Sequence, residues 1–161
     1  MASVQERGLV EDGGEAPGTW PLHVGAALDG DGACIAQARH LAAEFLIRAR
    51  DEYGVVVSQR AQDLACLVVS ELVTNALKYA PGPVLLDLNI EHETVEIAVW
   101  DSDPVLPIAR AADADRVGQH GLEIVLTVAS SFEARKETVG KRITVGIALG
   151  DVPRPLRHAP S

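Results

Sequence analysis

A carboxylate and a carboxamide lie four residues apart in an otherwise apolar run, at Glu71 and Asn75 within the sequence SELVTNALKYA of residues 70–80. In a helix, residues four apart share a face, so these side chains project together, with Lys78 about one turn further along. Burying an amide without a hydrogen bond costs about 1–3 kcal/mol, and an unpaired carboxylate costs more. The pair could serve as a general base and a magnesium ligand, or neighbouring backbone groups could satisfy both.

A further acidic group, Asp101, ends a run of alternating apolar and polar residues. It shares the strand phase of Val95, Ile97 and Val99, so we expect it to face the same way as those residues, at the edge of the core. An ionised carboxylate only accepts hydrogen bonds. It could therefore bind the exocyclic amine of a purine, or it could cap a backbone turn.

Two glycines, Gly118 and Gly121, precede an apolar stretch that is typical of a short helix. Glycines at such a junction let backbone amides approach an anion at the helix N-terminus, which would suit a phosphate group. Glycines also occur at these junctions for steric reasons alone. His120, between them, fits an exposed loop residue as well as it fits a ligand.

Composition limits the classes of function. The chain has 161 residues, 47% of them hydrophobic, which suits one globular domain. Its net charge of −9 argues against a nucleic-acid surface and leaves protein and small-molecule partners. No apolar run approaches the roughly 20 residues that span a bilayer, so we expect a cytoplasmic protein with no membrane part. Cys34 and Cys66 lack CxxC spacing and are expected to be buried, reduced thiols.

The hydrophobic pattern predicts one domain over residues 19–150, between flexible tails at residues 1–18 and 151–161. Residues 103–119 follow neither the helical nor the strand period, and a loop of that length in a small domain is usually functional or disordered. The predicted elements are a strand at 20–27, helices at 33–50 and 58–79, a hairpin of strands 84–91 and 94–101, a helix at 121–130, and a closing hairpin of strands 132–137 and 142–149.

The order of these features is similar to that of a known family: a polar helix, a hairpin ending in aspartate, a long loop, a glycine-flanked helix and a closing hairpin. With the run Ser-Glu-Leu-Val-Thr-Asn-Ala, it resembles the ATP-binding domain of the gyrase, histidine kinase and heat-shock chaperone (GHKL) superfamily, particularly the small bacterial anti-sigma-factor serine kinases. The resemblance covers about residues 20–150. It implies an α+β fold, the two-layer α/β sandwich called the Bergerat ATP-binding fold, with a mixed, mostly antiparallel sheet and helices on one face.

The resemblance also implies roles for individual residues in binding ATP and Mg²⁺. Glu71 would be the general base, Asn75 the magnesium ligand, and Asp101 the partner of the adenine amino group. The other nucleotide-binding positions that it implies are Lys78 and Tyr79 on the phosphate side, Asp103 near the nucleotide, the lid hinge of Gly118, Gln119, His120, Gly121 and Leu122, and Thr144 near adenine.

One motif departs from the family pattern. The usual Asp-x-Gly-x-Gly box reads Asp-Ser-Asp-Pro-Val at residues 101–105, so neither glycine is present. Asp103, in the place of the first glycine, adds negative charge near the nucleotide. Val105, in the place of the second, lacks the backbone freedom that glycine would give the lid.

As a function, the resemblance implies a protein serine/threonine kinase that sequesters a sigma factor and phosphorylates an anti-sigma-factor antagonist, with no direct contact to nucleic acid. The missing glycines motivate an alternative, a catalytically inactive scaffold of the same fold that binds protein partners. A homodimer through the outward face of the sheet is also consistent with the family. The alternation of Ile143, Val145, Ile147 and Leu149 is equally explained by burial in the core.

Overall fold

A computed structural model describes residues 22–80, 82–106 and 119–150, with the backbone alone at 119 and 120. The tails expected at 1–18 and 151–161, and most of the loop expected at 103–119, lie outside the described residues. The elements are β1 (Leu22–Leu28), α1 (Ala33–Tyr53), α2 (Gln59–Tyr79), β2 (Val84–Glu91), β3 (Thr94–Asp101), α3 (Gln119–Val128), β4 (Ser131–Lys136) and β5 (Lys141–Ala148).

The five described strands form one sheet in the order β1-β2-β3-β5-β4, and every neighbouring pair is antiparallel. The α+β class and the two-layer arrangement expected from the sequence are therefore confirmed. The expected mixed sheet differs in one respect, because the part of the sheet that the structure describes contains no parallel pair.

One face of the sheet carries the core. Along β2 and β3 the inward residues are buried at every second position, which is the two-residue period of a strand. Helix α2 packs against β2, β3 and β5, and α1 packs against β1 and β2. The opposite face is more polar and bears ion pairs, among them Arg142 with Asp87 at 3.3 Å and with Glu137 at 3.6 Å.

Helix α2 carries the residues of greatest chemical interest, and its ends follow from the sequence. Ser58 caps its N-terminus, because the Ser58 hydroxyl accepts a hydrogen bond of 3.0 Å from the Ala61 amide. The helix ends before Ala80, whose backbone is extended, as expected for a residue that precedes proline. Among the described residues, no helix combines the length and the apolar character needed to cross a membrane.

Candidate functional site

The side chain of Glu71 lies against the first turn of α3. A Cβ atom built on Gly121 would overlap Glu71 Oε1, so the carboxylate occupies space that only a glycine leaves open. Helices α2 and α3 pack together along this contact. Two features separated by 50 residues in the sequence (121 − 71), the candidate base and the candidate phosphate-binding helix, are therefore brought into contact.

Asn75 lies one turn further along α2 and, like Glu71, is half-buried. Tyr79 is half-buried and Lys78 is exposed in the last turn of the same helix, and both make further interactions. These four residues follow the helical spacing expected from the sequence. Asn75 can offer its amide oxygen to a cation. The positive charge of Lys78, in the last turn of the same helix, suits an anionic group such as phosphate.

Helix α3 begins at Gln119, two residues earlier than the sequence pattern predicts. Gln119 and His120 therefore belong to its first turn, although the positions of their side chains are not described, and Gly118 lies outside the described residues. Leu122 is half-buried and packs on the core. The first-turn amides of a helix favour an anion, so the start of α3 suits a phosphate group.

Asp101, the expected partner of the adenine amine, is held by an internal ion pair. Lys141 Nζ donates to Asp101 Oδ1 at 2.9 Å, and each of the two residues is 2% exposed. The same Asp101 oxygen accepts the amide of Asp103 at 2.9 Å. Lys141 Nζ also donates to the Asp103 carbonyl at 3.0 Å and lies 3.6 Å from Asp103 Oδ2. The three residues form what we call the Lys141 cluster.

The turn between β4 and β5 brings Lys141 to this position. Gly140 has a φ of +78°, and a Cβ atom there would overlap the Asp101 carbonyl. A glycine therefore allows the start of β5 to run directly beside the end of β3. Asp101 and Lys141 are paired across the two strands, so their side chains share the inward face.

The Lys141 cluster does not fit the expected recognition of adenine. A base amine would have to displace Lys141 from Asp101 Oδ1. The remaining carboxylate oxygen offers little surface, since the Asp101 side chain is 3% exposed. Asp101 Oδ1 therefore already accepts hydrogen bonds from within the protein.

Thr144, expected near adenine, is not brought to Asp101. It pairs with Ala98 across β3 and β5, and this register places it on the sheet face opposite to Asp101. The position on β5 beside Asp101 belongs to Lys141, which the sequence analysis did not identify as a site residue. A signal was present, because Lys141 continues the inward alternation of Ile143 and Val145 and is the charged member of that series.

Comparison with known proteins identifies a family for this chain. The family model described as a histidine kinase-like ATPase domain matches residues 31–147, more than half of the chain. The matched segment contains both Glu71 and Asp101. A comparison with curated proteins finds no match. From the family match, the chain belongs to the histidine kinase-like ATPase domains of the GHKL superfamily.

Proposed function

We propose that this protein is an ATP-dependent serine/threonine kinase of the anti-sigma type, which sequesters a sigma factor and phosphorylates an anti-sigma-factor antagonist in the cytoplasm. The family supports the coarser function, an ATP-binding regulatory protein. The observation that carries the kinase proposal is the contact between Glu71 and the first turn of α3 at Gly121. It joins a candidate proton acceptor to a candidate phosphate site.

The chain's own residues supply three parts of the proposed chemistry. Glu71 accepts the proton of the substrate's serine hydroxyl. As that proton leaves, the serine oxygen forms a bond to the terminal phosphorus of ATP, and the bond between that phosphorus and the ADP leaving group breaks. Asn75 would hold Mg²⁺ through its amide oxygen, and the metal would supply positive charge to the phosphate groups. The amides that begin α3 stabilise charge on the phosphate.

The Lys141 cluster favours a second candidate function, the partner-binding scaffold without kinase activity. Asp101 and Lys141 satisfy each other inside the protein, and neither glycine of the usual box is present. In this alternative the fold is kept for protein contact alone. The two functions differ in whether nucleotide binds at all, which makes a binding measurement the first test.

The test is calorimetric titration of the protein with ATP and Mg²⁺, alongside Asn75→Ala and the control Asn89→Ala, whose half-exposed side chain lies on the outward face of β2. The kinase proposal expects binding by the native protein and the control, and loss of binding in Asn75→Ala. If the native protein binds no nucleotide up to millimolar concentration, the kinase proposal is contradicted and the partner-binding scaffold becomes the favoured function.

A second measurement follows phosphate transfer to a purified anti-sigma-factor antagonist protein. Glu71→Ala should abolish transfer and leave ATP binding intact, because the carboxylate acts on the hydroxyl proton. The matched control is Glu96→Ala on the outward face of β3. Equal loss of binding and transfer in Glu71→Ala would contradict its assignment as the base.

A further inference from the structure

We propose that Lys141 takes the place of the nucleobase amino group on Asp101, so that the site binds nucleoside triphosphates through their phosphates and does not discriminate adenine from other purines. This inference rests on the proposed nucleotide binding and concerns its specificity. In this inference the hydrogen-bond donor to the buried Asp101 carboxylate is Lys141, and not the amino group of the nucleobase.

The donors and acceptors of the cluster are matched within the chain. The ammonium of Lys141 donates to Asp101 Oδ1 and to the Asp103 carbonyl, at 2.9 and 3.0 Å, and Asp103 Oδ2 lies at 3.6 Å. An adenine amine is also a donor, so it competes with Lys141 for the same oxygen. The carbonyl that guanine carries at the same ring position is an acceptor, but it finds the lysine donors already engaged. Neither base gains a partner that the other lacks.

The residue that replaces the first glycine of the box also holds Lys141 in place. Asp103 stands where the first glycine of the box is expected, and it supplies both a carbonyl and a carboxylate to Lys141. Its amide also donates to Asp101, at 2.9 Å. A glycine at residue 103 would lack the carboxylate. Gly140 completes the arrangement, because its close approach to the Asp101 carbonyl positions the start of β5.

The experiment compares the binding of purine nucleotides to the native chain. The magnesium complexes of ATP, GTP and purine riboside triphosphate, which has no amino group, are titrated by calorimetry. The inference expects dissociation constants within about threefold of one another. A preference for ATP of about tenfold or more over both other nucleotides would overturn it, while leaving the proposed ATP-binding function intact.

A variant tests whether Lys141 itself removes the preference. Lys141→Thr frees the Asp101 carboxylate, and we expect it to bind ATP at least about tenfold more tightly relative to GTP than the native chain does. The control is Arg142→Thr, the neighbouring cation on the opposite face of β5, which pairs with Asp87. An equal change of ratio in both variants would overturn the role of Lys141. Since Lys141→Thr could fail to fold, the native titration stands as an independent test.

The remaining outcomes separate this inference from the proposed function. If the native chain binds no nucleotide but Lys141→Thr binds ATP selectively, the role of Lys141 is supported and ATP binding by the native protein is overturned. If neither protein binds any nucleotide, both are overturned. Thermal unfolding of each variant, followed by circular dichroism, identifies which proteins are folded in the titration.

Discussion

The carboxylate of Glu71 occupies the space that a side chain on Gly121 would need, so α2 and α3 meet at a glycine. The contact joins the middle of one helix to the first turn of another. Because the approaching atom is the far end of a flexible side chain, a substitution at residue 121 can displace the carboxylate without displacing backbone.

Gly121→Ala should therefore separate folding from catalysis. The new methyl group moves the Glu71 carboxylate, while alanine favours a helix over glycine by up to about 1 kcal/mol. We expect a folded protein whose phosphate transfer falls by roughly 100-fold, the scale of loss when a catalytic group is misplaced by about 1 Å. Single-turnover transfer and urea unfolding measure the two effects.

Gly32→Ala is the matched control for this substitution, because no described residue has an atom within 4 Å of a Cβ built there. It should leave transfer unchanged. Native transfer rates in Gly121→Ala would show that the position of Glu71 against α3 has no part in the reaction.

Gly30→Ala should cost stability instead. A Cβ atom at residue 30 would overlap the carbonyl oxygen of Gly82, which is backbone and cannot rotate away. We expect a loss of about 1–3 kcal/mol in the free energy of unfolding, the usual cost of overpacking. Urea denaturation measures it. Gly150→Ala is the control, because in the part of the chain that the structure describes a Cβ atom there meets nothing within 4 Å. Equal stability of the two variants would contradict the close approach.

The buried ion pair of Lys141 and Asp101 makes a prediction about stability. Lys141→Met leaves a buried carboxylate without its cation, and we expect the free energy of unfolding to fall by about 3–5 kcal/mol. Adding Asp101→Asn removes the unpaired charge, so the double variant should recover much of that loss. Urea denaturation of both single variants and the double variant gives the coupling between the residues.

Arg142→Met provides the comparison for that pair. Arg142 is bonded to Asp87 at 3.3 Å, but about a third of each side chain is exposed, and exposed pairs contribute only about 0–1 kcal/mol. If the free energy of unfolding falls no further in Lys141→Met than in Arg142→Met, Lys141 and Asp101 are not a buried, coupled pair.

The two cysteines should react slowly with alkylating reagents in the native protein. Burial raises the pKa of the Cys34 thiol, with nearby Asp31 acting in the same direction, and burial also raises the pKa of Cys66. The thiolate is the reactive form, so alkylation of either residue should begin at higher pH than for a free cysteine. Cys66 should react before Cys34, which is fully buried.

Mass spectrometry after iodoacetamide treatment over a range of pH measures this order. The same treatment in urea is the control, and both thiols should then react alike. Rapid native alkylation of Cys34 near neutral pH would contradict its burial.

Local patterns in the sequence predicted most of the fold. The hairpin of β2 and β3 has the predicted bounds at residues 84–91 and 94–101. Both of its signals, the alternation of apolar and polar residues and the short turn, are local features of the sequence. The spacing of Glu71 and Asn75 placed them on one helical face for the same reason. The predicted start of α3, at residue 121, is two residues later than its observed start at Gln119, because helix ends depend on capping contacts that periodicity does not record.

By itself, then, the sequence determined the α+β class, the polar face of α2 and the family to which the motif belongs. The tertiary structure decided how the site is completed: Glu71 against Gly121, and Asp101 bound to Lys141 instead of lying near Thr144. Lys141 and Asp101 are 40 residues apart, and their pairing depends on the register of β3 with β5 and on the turn at Gly140. Since a shift of one residue reverses the face of every side chain in a strand, the three-dimensional pairing decided which residue of β5 faces the carboxylate.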